Sequence, residues 1–490
     1  MLVAIPRAFK TDESFLEKIV IGATGTRRAF EDMAQQGHEP VELERGSMSF
    51  KIWKAIKIKR VRVPDILCLS CGHRVESRGK TKLEITMSHS LSVQERGWDF
   101  GLDDSDQVAL IHCERVGPGP LDWVASSLVQ YILIAPLRET FRAGLTRTER
   151  PKGAQEGFEV RVTWPATRAS AAGTVEHITA ENIRYRKRAD GRSVSVRLQR
   201  KDIRLTPLVA PGDEVLPNQI IASVVPVKRD WLCPGGTTVQ SYVDLSQSSA
   251  LSDRYTAVKA LGRFDEPLAT AALLERVGDT REHIYVRVDA AAGLMRRGEP
   301  VGRDFLAATL HDTYLENRLE SAIILSEVGT PAATQLLIAT LQDAEQHSEI
   351  RAGAAWALGE IGTREALPAL VQSFNALHLV VKIEAARALA KLARSHLDEV
   401  LQSLSTSSVD ERPGIAWALS QAGGFSISQI LPTAVDEDAR QWIAYIIGTQ
   451  DRETMLPEIE ALAAHDHQVY FAVTVLWKII ASWIYDLEEY

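Results

Sequence analysis

The sequence predicts a multidomain chain. An α/β domain occupies about residues 1–150, a small all-β domain 151–235, and an all-α solenoid of about eight helical pairs 250–490. Three observations carry this reading. An eight-residue pattern returns throughout the second half, short alternating runs with turn signals fill the middle, and the front mixes one long amphipathic stretch with β-type runs.

The chain has 490 residues, of which 45% are hydrophobic and 24% charged, an ordinary balance for a globular protein. No run of about 18 apolar residues exists, which predicts no membrane span. The N-terminal MLVAIPRAFKTDESF has too short an apolar stretch for a secretory signal, and four cysteines make no disulfide framework. A reduced, cytoplasmic setting is the expectation. The net charge of −8 is unevenly spread: residues 1–250 balance to +6 and residues 251–490 to −14. Any nucleic-acid contact is therefore expected in the front half, and a basic partner, or the basic front half of the same chain, on the acidic back half.

The repeat aligns without gaps. RYTAVKAL from Arg254, RVDAAAGL from Arg287, RLESAIIL from Arg318 and RAGAAWAL from Arg351 are followed by KIEAARAL from Lys382, RPGIAWAL from Arg412, RQWIAYII from Arg440 and VYFAVTVL from Val469. The fifth residue is always Ala or Val and the eighth always Leu or Ile. Small residues in mid-segment let one helix approach its neighbour's backbone. The closing Leu, one turn further on the same face, fills the layer between repeats. Leu261, Leu294, Leu325, Leu358, Leu389 and Leu419 are thus the expected shared core. Alternating segments such as TPAATQLLIATLQD open with Thr as a cap and Pro in the first turn.

These segments resemble short HEAT-like repeats of the bilin-lyase type, over about residues 250–485. The resemblance implies a scaffold that presents a surface to a protein partner. Some relatives attach bilins and others modify lysine derivatives with iron. The iron-dependent ones resemble an arrangement of recurring His-Glu pairs. Here Glu282 precedes His283 in the reverse order and without recurrence, which disfavours a lyase or hydroxylase.

In the middle, FEVRVTW, AGTVEHI, NIRYRKR and SVSVRLQ alternate as half-buried strands do, with Asp190-Gly191 a hairpin turn between the last two. With PGDEVLPNQIIASVVPV they resemble the barrel-sandwich hybrid of lipoyl domains and RNA polymerase large subunits. Lys187 stands among Arg184, Arg186 and Arg188, which excludes a lipoyl or biotin carrier lysine in an acidic setting. Those cations, with Arg192 and Arg197, instead predict a contact with nucleic acid or another polyanion, DNA or RNA alike. A charge-protected edge strand is the plainer alternative.

The front holds the residues able to carry chemistry. A helix over DESFLEKIVIGATGTRRAFEDMAQQG is predicted, then a long basic strand SFKIWKAIKIKRVRV ending at Pro64-Asp65. RVESRGKTKLEITMS and VALIHCERV read as strands, and PLDWVASSLVQYILIAPLRETF as an amphipathic helix. This order resembles the PD-(D/E)xK restriction-endonuclease core. The resemblance makes Asp65 and Glu76 holders of a Mg or Mn ion, with Lys80 or Arg78 in the lysine's role and Glu17 as the upstream helical acid. Arg78 departs from the family's lysine. Cys68-x-x-Cys71 with His73 looks like half of a structural zinc site. The candidate set is Cys68, Cys71, His73 and Cys113, with Cys233 the remaining thiol. A scaffold with a nucleic-acid-contacting front and an active metal-dependent nuclease are both open on these residues.

Overall fold

The computed structural model describes residues 12–48, 56, 61–150 and 159–488. They form two compact units, Met1–Ile52 with Arg60–Ala260, and Trp53–Lys59 with Leu261–Tyr490. No helix among the described residues is long and apolar enough to cross a membrane. Most of the expected strand SFKIWKAIKIKRVRV lies outside the described residues.

In the first unit, helix α1 (Asp12–Gln35) leads into β1 (Pro40–Glu42), β2 (Ile66–Cys68) and β3 (Arg74–Lys80). After β4 (Ile85–Ser90) come β5 (Gln107–Arg115), β6 (Trp123–Leu133) and helix α2 (Ile134–Arg142). One sheet has the order β1-β2-β3-β5-β6, in which only β3 and β5 run parallel. Successive residues of β5 point to opposite faces, and both faces are covered. Val108 and Leu110 join Trp98, Ile132 and Trp164 on one side, while Ala109, Ile111 and Cys113 join Ala29, Met33 and Val75 on the other. That explains why this strand reads as a continuous apolar run.

Helix α1 lies unusually close to β3. A Cβ on Gly25 would stand 2.8 Å from the Gly79 Cα, and one on Gly79 would stand 2.3 Å from the Ile21 carbonyl oxygen.

The segment expected as one amphipathic helix is mostly strand. Trp123–Leu133 pairs with β5, and only Ile134–Arg142 is helical. Trp, Val, Tyr and Ile in this stretch suit a pleated surface, and pairing with β5 outweighs the helical period. Pro136 sits in the first turn of α2, where its missing N–H costs nothing.

Strands β7 (Arg147–Glu149) and β8 (Glu159–Trp164) join β4 in a second sheet, order β4-β8-β7. Val160, Val162 and Trp164 of β8 enter the same core as Ile85 and Met87, so FEVRVTW packs with the front rather than with the strands that follow. Then β9 (Ala166–Arg168), β10 (Gly173–Ile178), β11 (Asn182–Lys187) and β12 (Ser193–Arg197) lead to short strands at Glu214–Val215 and Ile220–Ser223. Two small sheets enclose Val175, Ile183, Tyr185, Leu198, Leu205, Val215 and Ile221. The β11–β12 turn follows the Asp190-Gly191 signal, with Gly191 at φ +66°.

The second unit is a run of helices. Those carrying the repeat segment, including Ile284–Arg296, Leu315–Val328, Ser348–Ile361, Leu379–Leu392 and Arg412–Ala422, alternate with others such as Pro300–Thr309, Pro331–Gln342 and Leu397–Thr406. Thr330 caps its helix by accepting the Ala333 N–H at 3.3 Å. Gly362 ends another in the left-handed conformation, φ +72°. Leu261, Leu294, Leu325, Leu358, Leu389 and Leu419 are all fully buried.

Candidate metal centre and charged faces

Around the β2–β3 turn, four ligand atoms converge. His38, Cys68, Cys71 and Cys233 offer one atom each, and all four lie within 4.8 Å of one another. No other group of three or more His, Cys, Asp or Glu among the described residues does this. Three separate stretches supply them: the turn between α1 and β1, the knuckle at the end of β2, and the segment beyond the β-rich strands. The Cys68 Sγ is 3.8 Å from the Cys233 Sγ, and the Cys71 Sγ is 3.6 Å from the His38 Nδ1.

The local backbone fits this gathering. The Gly72 N–H donates to the Cys68 carbonyl and the Cys68 N–H to the His73 carbonyl, both at 2.9 Å, with Gly72 at φ +72°. The Glu39 N–H points at the Cys68 Sγ, 3.4 Å away. The His38 Nε2 lies 2.7 Å from the Trp231 carbonyl oxygen, so it donates there and leaves Nδ1 with its lone pair toward the sulfurs. A Cys71 hydrogen bond pulls the Cys68 thiol down to about 4, and the same bond pushes Cys71 up.

Two residues of the sequence-read set fall elsewhere. His73 places its Nδ1 3.3 Å from the Cys71 Sγ, beside the cluster rather than in it. Cys113 lies in the core of β5 with its Sγ facing the Ile21 carbonyl at 3.8 Å, and burial pushes its thiol up to about 11. Both are close in sequence or strand order, but side-chain direction sends them outside. His38 carries no motif in the sequence. Cys233 was visible only as the thiol left over.

The carboxylates come together as their strands require. The register Ile66↔Val75 and Leu67↔Arg74 puts Asp65 opposite Glu76. Asp65 is buried, and its Oδ2 accepts the Ser77 N–H at 2.7 Å. Burial first, then the nearby Glu76 and Glu44 carboxylates, hold its pKa well above the usual range. Glu76 is paired with Arg78 at 2.8 Å. Lys80 donates to the Thr86 carbonyl and hydroxyl at 3.2 and 3.3 Å, and burial lowers its pKa to about 8. Glu17 bridges to Arg115 at 3.0 Å. Asp65 and Glu76 are thus adjacent, while Lys80 and Glu17 are engaged with other partners.

On β11, Arg184 and Arg186 both reach Glu176 of β10, at 3.3 and 2.6 Å, and Arg188 pairs with Glu214. Ser193 and the Arg186 side chain hold the Glu176 carboxyl below its usual range. Arg192 and Arg197 are exposed on the neighbouring hairpin strand and turn, and Lys187 is half-buried. A cleft of about 410 Å³ nearby is lined by Arg147, Arg168 and Arg200 together with Trp164. These three arginines donate to the Arg200 carbonyl, Asn218 and Thr167 respectively. Among the described residues none of them forms an ion pair.

In the second unit, Ile56 packs on Leu319, Ile323 and Ile350, with Leu315 and Trp356 beside them. Leu319 and Ile323 stand one and five places into the segment from Arg318. The residues one place into the segment from Lys382 and five into that from Arg412 are Ile383 and Trp417, at 41% and 36% exposure. Leu377 and Leu379 at the start of the Ile383 helix are 96% and 68% exposed. One row of the repeat is therefore occupied by Ile56 at one stretch and open at another.

Residues 304–390 match the family model for HEAT repeats, which makes this part of the chain a HEAT-repeat array. No curated protein matches the chain. Among solved structures, the CpcE–CpcF complex of phycocyanin lyase from Nostoc sp. PCC7120 is 21% identical, covering 50% of this chain and 94% of that one, with a TM-score of 0.25. Human deoxyhypusine hydroxylase is 18% identical over 43% of this chain and 96% of its own, TM-score 0.23. A designed armadillo repeat protein in complex with a (KR)4 peptide is 17% identical over 49% and 100%, TM-score 0.21.

Proposed function

We propose that the chain is a non-catalytic interaction protein whose solenoid takes an aliphatic side chain from a basic segment of a protein partner. The observation that carries this is the shared row: Ile56 sits on Leu319 and Ile323, while Ile383 and Trp417 at corresponding repeat positions stand open. Ile56 itself belongs to the basic stretch KIWKAIKIKR, and the back half carries −14. Exposed apolar groups on a half of the chain with net negative charge suit such a segment. The test is fluorescence polarisation with a labelled KIWKAIKIKR peptide. Binding at micromolar concentration should weaken at least about tenfold in an Ile383→Asp/Trp417→Asp variant, a loss of about 1.4 kcal/mol. Equal binding by both proteins would remove the reading.

The pairing of Glu76 with Arg78 and of Lys80 with Thr86 favours this over a nuclease. Magnesium- or manganese-dependent cleavage that disappears in Asp65→Ala would reverse that preference. A second role for the front unit is contact with a polyanion. It is supported by Arg147, Arg168 and Arg200 lining one cleft without ion pairs among the described residues. Converging like charges repel, and an anion such as a nucleic-acid phosphate relieves that repulsion. Arg168→Ala/Arg200→Ala should flatten the salt dependence of oligonucleotide binding by about one log-log unit per lost contact.

A further inference from the structure

We propose that His38, Cys68, Cys71 and Cys233 bind one Zn2+ as a tetrahedral structural site. Two of the six separations between the ligand atoms match a zinc tetrahedron, and all six are within 4.8 Å. Zn–S bonds of about 2.3 Å and Zn–N of about 2.0–2.1 Å place two ligand sulfurs about 3.8 Å apart and a sulfur and a nitrogen about 3.6 Å apart. The observed Cys68–Cys233 and Cys71–His38 separations are 3.8 and 3.6 Å. A disulfide would need its sulfurs about 2.05 Å apart.

The surroundings serve a metal as well as the ligands do. The His38 Nε2 is committed to the Trp231 carbonyl, which fixes the ring with Nδ1 as the acceptor atom. The Glu39 N–H and the His73 Nδ1 stand against the Cys68 and Cys71 sulfurs, where they stabilise thiolate charge. Trp231 covers the site, its ring 4.2 Å from that of His38 and 5.0 Å from that of Tyr131. With four protein ligands and no open position, the ion serves structure rather than catalysis. It would tie the α1–β1 turn, the β2–β3 knuckle and the segment after Lys228 into one point, joining residues 195 positions apart.

The experiment is metal analysis of the full chain purified under reducing conditions. About one zinc per chain is expected, falling below about a tenth in Cys233→Ser and His38→Ala, with Cys113→Ser unchanged. Exchange with Co2+ should give the visible bands and thiolate charge transfer of a tetrahedral cobalt–thiolate site. This readout uses the wild-type chain and so does not depend on whether a variant folds. Zinc retained in Cys233→Ser, zinc lost in Cys113→Ser, or a metal-free protein with a Cys68–Cys233 disulfide would each overturn the assignment.

Discussion

The Ser77 N–H donates to the Asp65 Oδ2 at 2.7 Å, across the hairpin that brings Asp65 beside Glu76. Burial and the carboxylates of Glu76 and Glu44 raise the Asp65 pKa against the pull of Ser77 and Arg78. The folded chain therefore holds a proton that the unfolded chain releases. Stability then falls as pH climbs from the ordinary carboxylate value through the raised one. Asn keeps the acceptor for Ser77 and cannot ionise. Asp65→Asn should match the wild type in acid and melt at a higher temperature than it above that window. A wild type more stable than Asp65→Asn at neutral pH would mean that Asp65 is ionised and well paired.

The close approach of α1 to β3 makes a second prediction. Gly79→Ala drives a Cβ into the Ile21 carbonyl, backbone that has no flexible end to move. The expected loss is about 1–3 kcal/mol or more. Gly22→Ala, on the same helix, meets nothing within 4 Å. It should gain about 0.5–1 kcal/mol from helix propensity. Urea midpoints of the two variants check this, and a shift in the same direction would mean that helix and sheet are not pressed together there.

These sites show what the sequence could and could not tell. The solenoid was legible because its core is written locally: Leu358 and Leu389 recur with Ala at fixed offsets, and each helix signals its own ends. The Cys68–Cys71 knuckle was legible for the same reason, down to the glycine that follows it. His38 and Cys233 were not, because they reach the knuckle through sheet topology. The adjacent His73 and the strand-borne Cys113 stood in for them in a reading limited to near neighbours and strand order. Residues 123–133 misled in another way, since helical and strand periods overlap in a short apolar run and only the β5 partner decides.

The repeat core supports a third prediction. Leu358 is fully buried between helices, whereas Leu377 is 96% exposed. Leu358→Ala should cost about 2–5 kcal/mol. Leu377→Ala should stay within about 0.5 kcal/mol. Denaturant unfolding followed by circular dichroism separates them. Similar losses for the two would mean that the repeat register is misplaced.

The last prediction concerns the basic strand. Arg184 and Arg186 reach the same Glu176 carboxylate, so one acid neutralises two cations on an exposed face. These pairs lie in water, where they contribute little to stability, so removing the acid should leave the fold intact. It would, however, free both guanidinium groups for phosphates. Glu176→Gln keeps the shape and a partner for Ser193 while removing the charge. If this face meets a polyanion, the variant should bind a labelled oligonucleotide more tightly than wild type. Its log-log salt dependence should steepen by up to about 1.8 units, at about 0.9 per added phosphate contact. Arg184→Ala/Arg186→Ala in the same background should cancel the gain. An unchanged slope in Glu176→Gln would show that phosphates do not meet this face, and the two arginines would then be no more than the solvated, charge-protected side of a small sheet.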